Sequence, residues 1–348
     1  MAFTPYQIIL AVGLVFTGFT NTISIKWADN IESAGTDGKV RKFNHPFVQA
    51  LIMFLGEFMC LLVFKIAFKY HMKRQYSVED SRIVNGNQKF NPLLFFFPAI
   101  CDMVASTLMY IGLNFTYASS YQMLRGGVII FTAILSKMFL RRKVTVRHWM
   151  GILLIIVGLC VVGISDLLVS KKSTQVDGSY TTEGIITGDL LIFVAQIITA
   201  AQMVYEEKYV VANDIPALQA VGWEGVFGMV AMSLLLIPFY FIKVGEPLAS
   251  NSRGSLEDFP DAIAQIVNNK ILFAALMGNV VSIAFFNFMG ISVTKEISAT
   301  SRMILDSLRT FFIWTFSLAV GWQAFHFLQP IGFGTLLIGM CVYNNMII

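Results

Sequence analysis

Hydrophobic residues in this chain fall into about ten long runs separated by short polar turns, at roughly 5–28, 46–70, 92–115, 119–140, 147–169, 186–210, 216–242, 271–293, 297–320 and 326–347. Each run holds about the 20 residues a helix needs to cross a hydrocarbon core about 30 Å thick. The pattern predicts an all-α integral membrane protein of about ten transmembrane helices. The ninth run breaks the apolar pattern, because SATSRMILDSLRT at 298–310 carries Arg302, Asp306 and Arg309. At helical spacing these charges share one narrow face with Ser298 and Ile313, while Ile304, Phe311 and Phe312 point elsewhere. A charge at mid-bilayer depth costs about 2.5–3.5 kcal/mol on the insertion scale, so that face is expected to look into protein or a water-filled cavity.

Other runs carry their own polar positions. The first has Thr17, Asn21 and Ser24 along one side, which reads as hydrogen bonding between helices. The second buries Glu57 behind Gly56; a carboxylate there is costly to keep charged, so it is either a proton carrier or the structural partner of an arginine. Asp102 follows Pro98 in the third run, with Ser106 one turn on. The fourth, SSYQMLRGGVIIFTAILSKMFL, sets Arg125 beside Gln122 and on one helical face with Tyr121, Thr132 and Ser136. Gly126 and Gly127 after it permit close approach of a neighbouring backbone or a ligand. The second half adds Asp189, Gln196, Glu224, Asn279, Ser282 and Asn287. The candidate substrate-binding set is therefore Arg125, Arg302, Asp306, Arg309, Asp102, Glu224, Asn279 and Gln122, with Glu57 as the candidate proton-coupling site. The arginines Arg125, Arg302 and Arg309 face the carboxylates Glu57, Asp102, Glu224 and Asp306, an excess of one negative charge; a cavity for a highly anionic ligand would show the opposite sign.

Composition agrees with the pattern: of 348 residues 56% are hydrophobic and 13% charged, with mean hydropathy +0.69, far from a soluble domain. The net charge of +4 is too mild and too scattered for a nucleic-acid partner. Lys73, Arg74, Arg141, Arg142, Lys143 and Arg147 concentrate in the turns after runs two and four, which places those turns, and the amino terminus, on the cytosolic side. Cys60, Cys101, Cys160 and Cys341 all lie in apolar runs, so no disulfide-bonded ectodomain is implied. His45, His71, His148 and His326 stand at run ends or in loops without metal-ligand spacing, and no phosphate loop or Ser-His-Asp grouping is present. An enzyme, a cofactor and a metal site are not expected.

The chain also repeats itself. PFVQA at 46–50 recurs as PALQA at 216–220, and Gly151, Gly158, Cys160 and Val161 recur at one constant offset as Gly332, Gly339, Cys341 and Val342. Between them Arg125 falls opposite Asp306, and Gly112 and Thr116 answer Gly290 and Thr294. Five spans per unit is an odd number, so the second half enters the membrane the opposite way. The expected organisation is two inverted five-helix repeats, 1–172 and 183–348, an architecture many transporters use.

FNPLLF at 90–95, SSYQMLRGG at 119–127, ITGDLLI at 186–192 and SIAFFNFMGISVTKEISATSRMILDSLRT at 282–310 together resemble solute carrier family 35 of the drug/metabolite transporter superfamily, most closely its F subgroup. The resemblance covers essentially the whole chain. It implies the drug/metabolite transporter fold, an alternating-access cavity, a homodimer through spans five and ten, and a lysosomal or other endomembrane location with a mitochondrial association. The expected function is secondary-active transport of a small polar or charged organic solute, coupled to protons. Nucleotide-sugar transport is the family's alternative, but this chain has SATSRM at 298–303 and GWEGVF at 222–227 where nucleotide-sugar carriers typically show GALNK-like and FYNN-like motifs. A more distant likeness to chloroquine-resistance transporters fits the near-neutral set of buried charges. The rival outside transport is a membrane adaptor in which the charges are only structural, since Arg302 and Asp306 stand one turn apart and can neutralise each other.

Overall fold

The computed structural model describes residues 4–73, 85–116, 121, 124–141, 145–173, 182–244, 251, 253–320 and 327–343. Helices stand where the hydrophobic pattern places them: α1 Pro5–Asn30, α2 Pro46–Lys73, α3 Phe96–Phe115 behind a 3-10 turn Pro92–Phe95, α4 Val128–Phe139, α5 Val146–Ser173, α6 Thr182–Glu206, α7 Ala217–Phe241, α9 Lys270–Glu296, α10 Ala299–Ala319 and α11 Leu328–Tyr343. Six of the described helices, in α1, α2, α3, α6, α7 and α9, are long and apolar enough to cross a membrane. α10 has the length but carries its three charges.

Two elements were not expected. The polar stretch after α1 folds into an antiparallel hairpin, β1 Glu32–Ala34 and β2 Val40–Lys42, with Gly38 at φ +74 supplying the left-handed turn residue. A short helix, α8 Phe259–Asn268, precedes α9; Asp258 caps it by accepting from the Asp261 amide, and Pro260 sits in its first turn. Arg125 also departs from expectation. It lies in a 3-10 turn, Arg125–Gly127, ahead of α4 rather than inside one continuous helix. The two glycines give that turn no side chains to lock into an α-helical register.

The chain divides into two compact units, Met1–Met103 with Glu206–Ile297, and Val104–Tyr205 with Ser298–Ile348, so each unit draws on both 1–172 and 183–348. In the first unit α2 is gripped between α7 and α9, and α1 packs along α9. The contact with α7 is very close: a Cβ on Gly225 would stand 2.3 Å from the Phe58 amide nitrogen and 2.6 Å from the Glu57 carbonyl carbon. On its other side Gly56 presses on the Val280 carbonyl of α9. Glu57 is thus held between three helices.

At the α1 end of this unit the hairpin, His45 and α8 form a cap around a buried charge cluster. His45 Nδ1 donates to Glu257 Oε1 at 2.6 Å, and its Nε2 lies 3.5 Å from Asp261 Oδ2. Arg41 approaches Asp261 with Nη2 at 2.7 Å and Nε at 3.3 Å, and the Thr36 amide donates to the same carboxylate at 2.8 Å. Gln265 also donates to Asp261, and the Phe47 amide donates to Glu257, tying the start of α2 to the cap. Burial alone would lower the His45 pKa, but hydrogen bonds to Asp261 and Glu257 outweigh it and raise it from 6.5 to about 9. Burial pushes Asp261 up, yet donors from His45, Thr36, Arg41 and Gln265 leave it well below the usual carboxylate range.

Because His45 is raised on folding, its stabilisation is complete below about pH 6.5 and fades as pH climbs through about 9. Asp261 is depressed, so its share persists above about pH 4 and is lost only below its ordinary range. Amide exchange in 32–48 and 257–268, corrected for intrinsic rate, should therefore be slowest from about pH 4 to 6.5 and accelerate toward pH 9. His45→Gln should remove that pH dependence. A flat profile in the unsubstituted protein would mean the imidazole is not held as a cation.

In the second unit α5 and α11 pack face to face through their repeated glycines: a Cβ on Gly151 would meet Tyr343 at 2.7 Å, and one on Gly339 would meet the Ile155 amide at 2.8 Å. Gly112 of α3 and Gly188 of α6 make a similar close approach. Leu124, Ile129, Ile155, Met303, Leu336 and Met340 form the apolar core. The glycine faces of α5 and α11 are thus taken up within one chain, while Leu153 and Ile338 on their outer faces are exposed.

Candidate functional site

The sequence-predicted residues fall into two groups, one in each unit. In the second unit α10 keeps the face read from its periodicity: Arg302, Arg309 and Ile313 are buried, while Phe311 and Phe312 are exposed. Asp306 stands between two cations. Its Oδ1 lies 2.8 Å from Arg309 Nη2 and its Oδ2 3.7 Å from Arg125 Nη2. The shorter contact lacks hydrogen-bond alignment, so it is a charge contact and not a directed bond. Arg125 also rests against the Tyr121 ring, 5.8 Å from its centroid. Ser298 caps α10 by accepting from the Ser301 amide, which starts the helix in the register that delivers Asp306 to Arg125.

α4 and α10 therefore meet, and they meet as packed protein. Thr132 and Met303 touch, Oγ1 to Sδ at 3.5 Å, and both are buried. Of the two surroundings expected for the charged face, protein or a water-filled cavity, the contact at this level is protein. Asp189 accepts from Thr116 at 2.7 Å in the same unit. Gln122 lies outside the described residues, as do the side chains of Asn114 and Asp166.

In the first unit Glu57 is 1% exposed and accepts a short hydrogen bond from Asn287 of α9. Asn279 is equally buried, and Asn21 of α1 donates to it and, at 3.3 Å, to Ser282. This triad is the interhelical bonding read for the first span, and it also engages Asn279, which had been assigned to solute. Glu224 is buried beside Gly225, and Asp102 is half-buried.

Sequence reasoning missed Glu206 and Glu207, both buried, at the point where α6 passes into a π turn, Glu207–Val211. Such turns favour functional positions, and two adjacent glutamates before Lys208 near the end of an apolar run were the available signal. It also missed the His45 cluster, whose carboxylate Glu257 lies 212 residues away in the chain. Among the described residues no group of His, Cys, Asp or Glu is arranged to hold a metal ion.

Solute carrier family 35 member F6 of Homo sapiens is 52% identical over 347 residues, 99% of this chain and 91% of that protein. The chain belongs to solute carrier family 35. The EamA-like transporter family model matches residues 5–164. A solved crystal structure superposes with a TM-score of 0.58 at 11% identity, covering 98% of this chain and 97% of that one, a likeness of fold alone. CMP-sialic acid transporter 1 of Arabidopsis thaliana is 26% identical over 161 residues, 45% of this chain and 42% of that protein. As a member of solute carrier family 35 the chain is a multi-pass membrane transporter and not an enzyme.

Proposed function

We propose that this carrier moves a small polar or charged organic solute by secondary-active, alternating-access transport, with Glu57 as the proton-coupling residue. The reading rests above all on the Arg125–Asp306–Arg309 group: three ionisable side chains, two of them from α10, gathered inside apolar helices at a cost that a merely structural scaffold could avoid with apolar residues. Arg302, Asp102, Glu224, Asn279 and Gln122 complete the proposed solute-binding set. The fold is read as ten spans in two inverted five-helix repeats, supported by the pairing of repeat-equivalent helices, α2 with α7 and α5 with α11. A lysosomal or other endomembrane location, a mitochondrial association and a homodimer through α5 and α11 belong to the same reading.

Nucleotide-sugar transport is favoured by the likeness to a CMP-sialic acid transporter. Against it stand SATSRM at 298–303 and GWEGVF at 222–227, and a balance of buried charge unsuited to a polyanion. Purified protein in liposomes, offered nucleotide sugars, amino acids, short peptides and amphipathic cations under an imposed pH gradient, decides the matter. Gradient-driven accumulation of one class supports the proposal. Nucleotide-sugar exchange indifferent to pH replaces the substrate, and no uptake above protein-free vesicles leaves an adaptor.

A further inference from the structure

α8 is amphipathic the wrong way round for a helix in water. Its buried face carries Asp261 and Gln265, and its exposed face carries Phe259, Ile263 and Val267, one turn apart, with Val267 75% exposed. Asp261 and Glu257 are consumed inward by His45 and Arg41, so the cap cluster itself turns the apolar stripe outward. The medium on that side must be apolar.

The stripe is continuous with the apolar surface of α7. Where the two helices adjoin, Leu51, Leu236, Ile237, Phe241, Phe259 and Pro260 line an open groove of about 360 Å³, within the size range of ligand pockets. Ser233 and Tyr240 are its polar members. Beyond α7 the chain doubles back: Val244 donates to the Gly254 carbonyl and Leu256 to the Ile242 carbonyl. That return brings Arg253 over the Tyr240 ring, 4.7 Å from its centroid, and sets Lys243 opposite Ser255. Both cations are exposed, whereas Glu257 and Asp258 beside them are buried. An apolar channel in the lipid-facing surface thus ends beneath two exposed positive charges.

We propose that this groove is a binding site for an anionic phospholipid of the leaflet on the α8 side, one acyl chain lying along α7 and Phe259 and the headgroup phosphate held by Lys243 and Arg253. α8 itself lies in the plane of that leaflet's interface, its stripe among the acyl chains. The carrier is in this way sensitive to the lipid composition of one leaflet, on the side away from its basic turns.

The test uses the full-length protein in nanodiscs holding equal mole fractions of phosphatidylglycerol and phosphatidylcholine, one or the other carrying a mid-chain diazirine, with cross-linked peptides mapped after illumination. Labelling at 236–241 and 259–260 should favour phosphatidylglycerol, by about fivefold for each cation engaged. Lys243→Gln with Arg253→Gln should abolish the preference and leave residual labelling by both lipids. Ile237→Trp, which fills the groove, should remove labelling there; if it fails to fold, Ser233→Leu narrows the same channel from another wall. Equal labelling by the two lipids, labelling that survives a filled groove, or protein–protein cross-links at these peptides would each overturn the proposal, the last in favour of a second copy of the chain.

Discussion

Replacing Asp306 with alanine is expected to cost the fold about 3–5 kcal/mol, the usual consequence of removing one partner from a buried charge pair. Two cations depend on this carboxylate: Arg309, whose side chain is 2% exposed, and Arg125, 20% exposed. Removing it leaves a guanidinium in an apolar helix packing with its main counter-charge gone, and water cannot easily make up the loss. The measurement is the unfolding temperature of the detergent-solubilised protein, together with the monodisperse yield. Asp306→Ala should lower both sharply, and adding Arg309→Met, which removes the stranded charge while keeping apolar volume, should restore much of the loss. Asp306→Asn, which retains shape and hydrogen-bonding capacity, should fall between. If Asp306→Ala unfolds at the temperature of the unsubstituted protein, the pair holds nothing together, and the contact is too weak to constrain the site.

That dependence was partly legible in the sequence. Periodicity alone put Arg302, Asp306, Arg309 and Ile313 on one face, because a charged stripe in an apolar run has no other arrangement that avoids lipid. The internal repeat gave the partner, setting Arg125 opposite Asp306. It also marked Gly151 and Gly339, although only the packing shows what they do, which is to let α5 and α11 approach backbone to backbone. What stayed hidden shares one cause: hydropathy reports which medium a face meets and not which distant residue it meets. Glu257 lies 212 positions from His45 in the chain, and α8, ten residues long, is too short to stand out as a hydrophobic run. Arg125 was misplaced in local register because a Gly-Gly pair leaves the choice between 3-10 and α turns to tertiary contacts. Periodicity put Thr132 on the face of Arg125, and only the packing shows that Met303 lies against it.

The last expectation concerns Glu57, where the sequence left two roles open. The structure gives it a neutral hydrogen-bond donor within its own unit, the Asn287 amide. Glu57→Gln keeps the accepting oxygen and the volume, so its stability should stay within about 1 kcal/mol of the original, the net worth of one ordinary hydrogen bond. Transport should respond differently. With one proton carried per solute, each unit of pH gradient can drive up to about tenfold accumulation, since one pH unit is worth about 1.36 kcal/mol. A glutamine cannot pick up and release that proton, so in Glu57→Gln the ratio of gradient-driven to gradient-free uptake should fall to one. The comparison needs only reconstituted protein, an acid-inside or acid-outside gradient and whichever solute the uptake screen identifies. Two results would sink the role: a ratio that survives the substitution, which moves coupling to another carboxylate such as Glu206 or Glu224, or a collapse in stability rescued by neutralising Arg125, Arg302 or Arg309, which would make Glu57 the fixed counter-charge of an arginine.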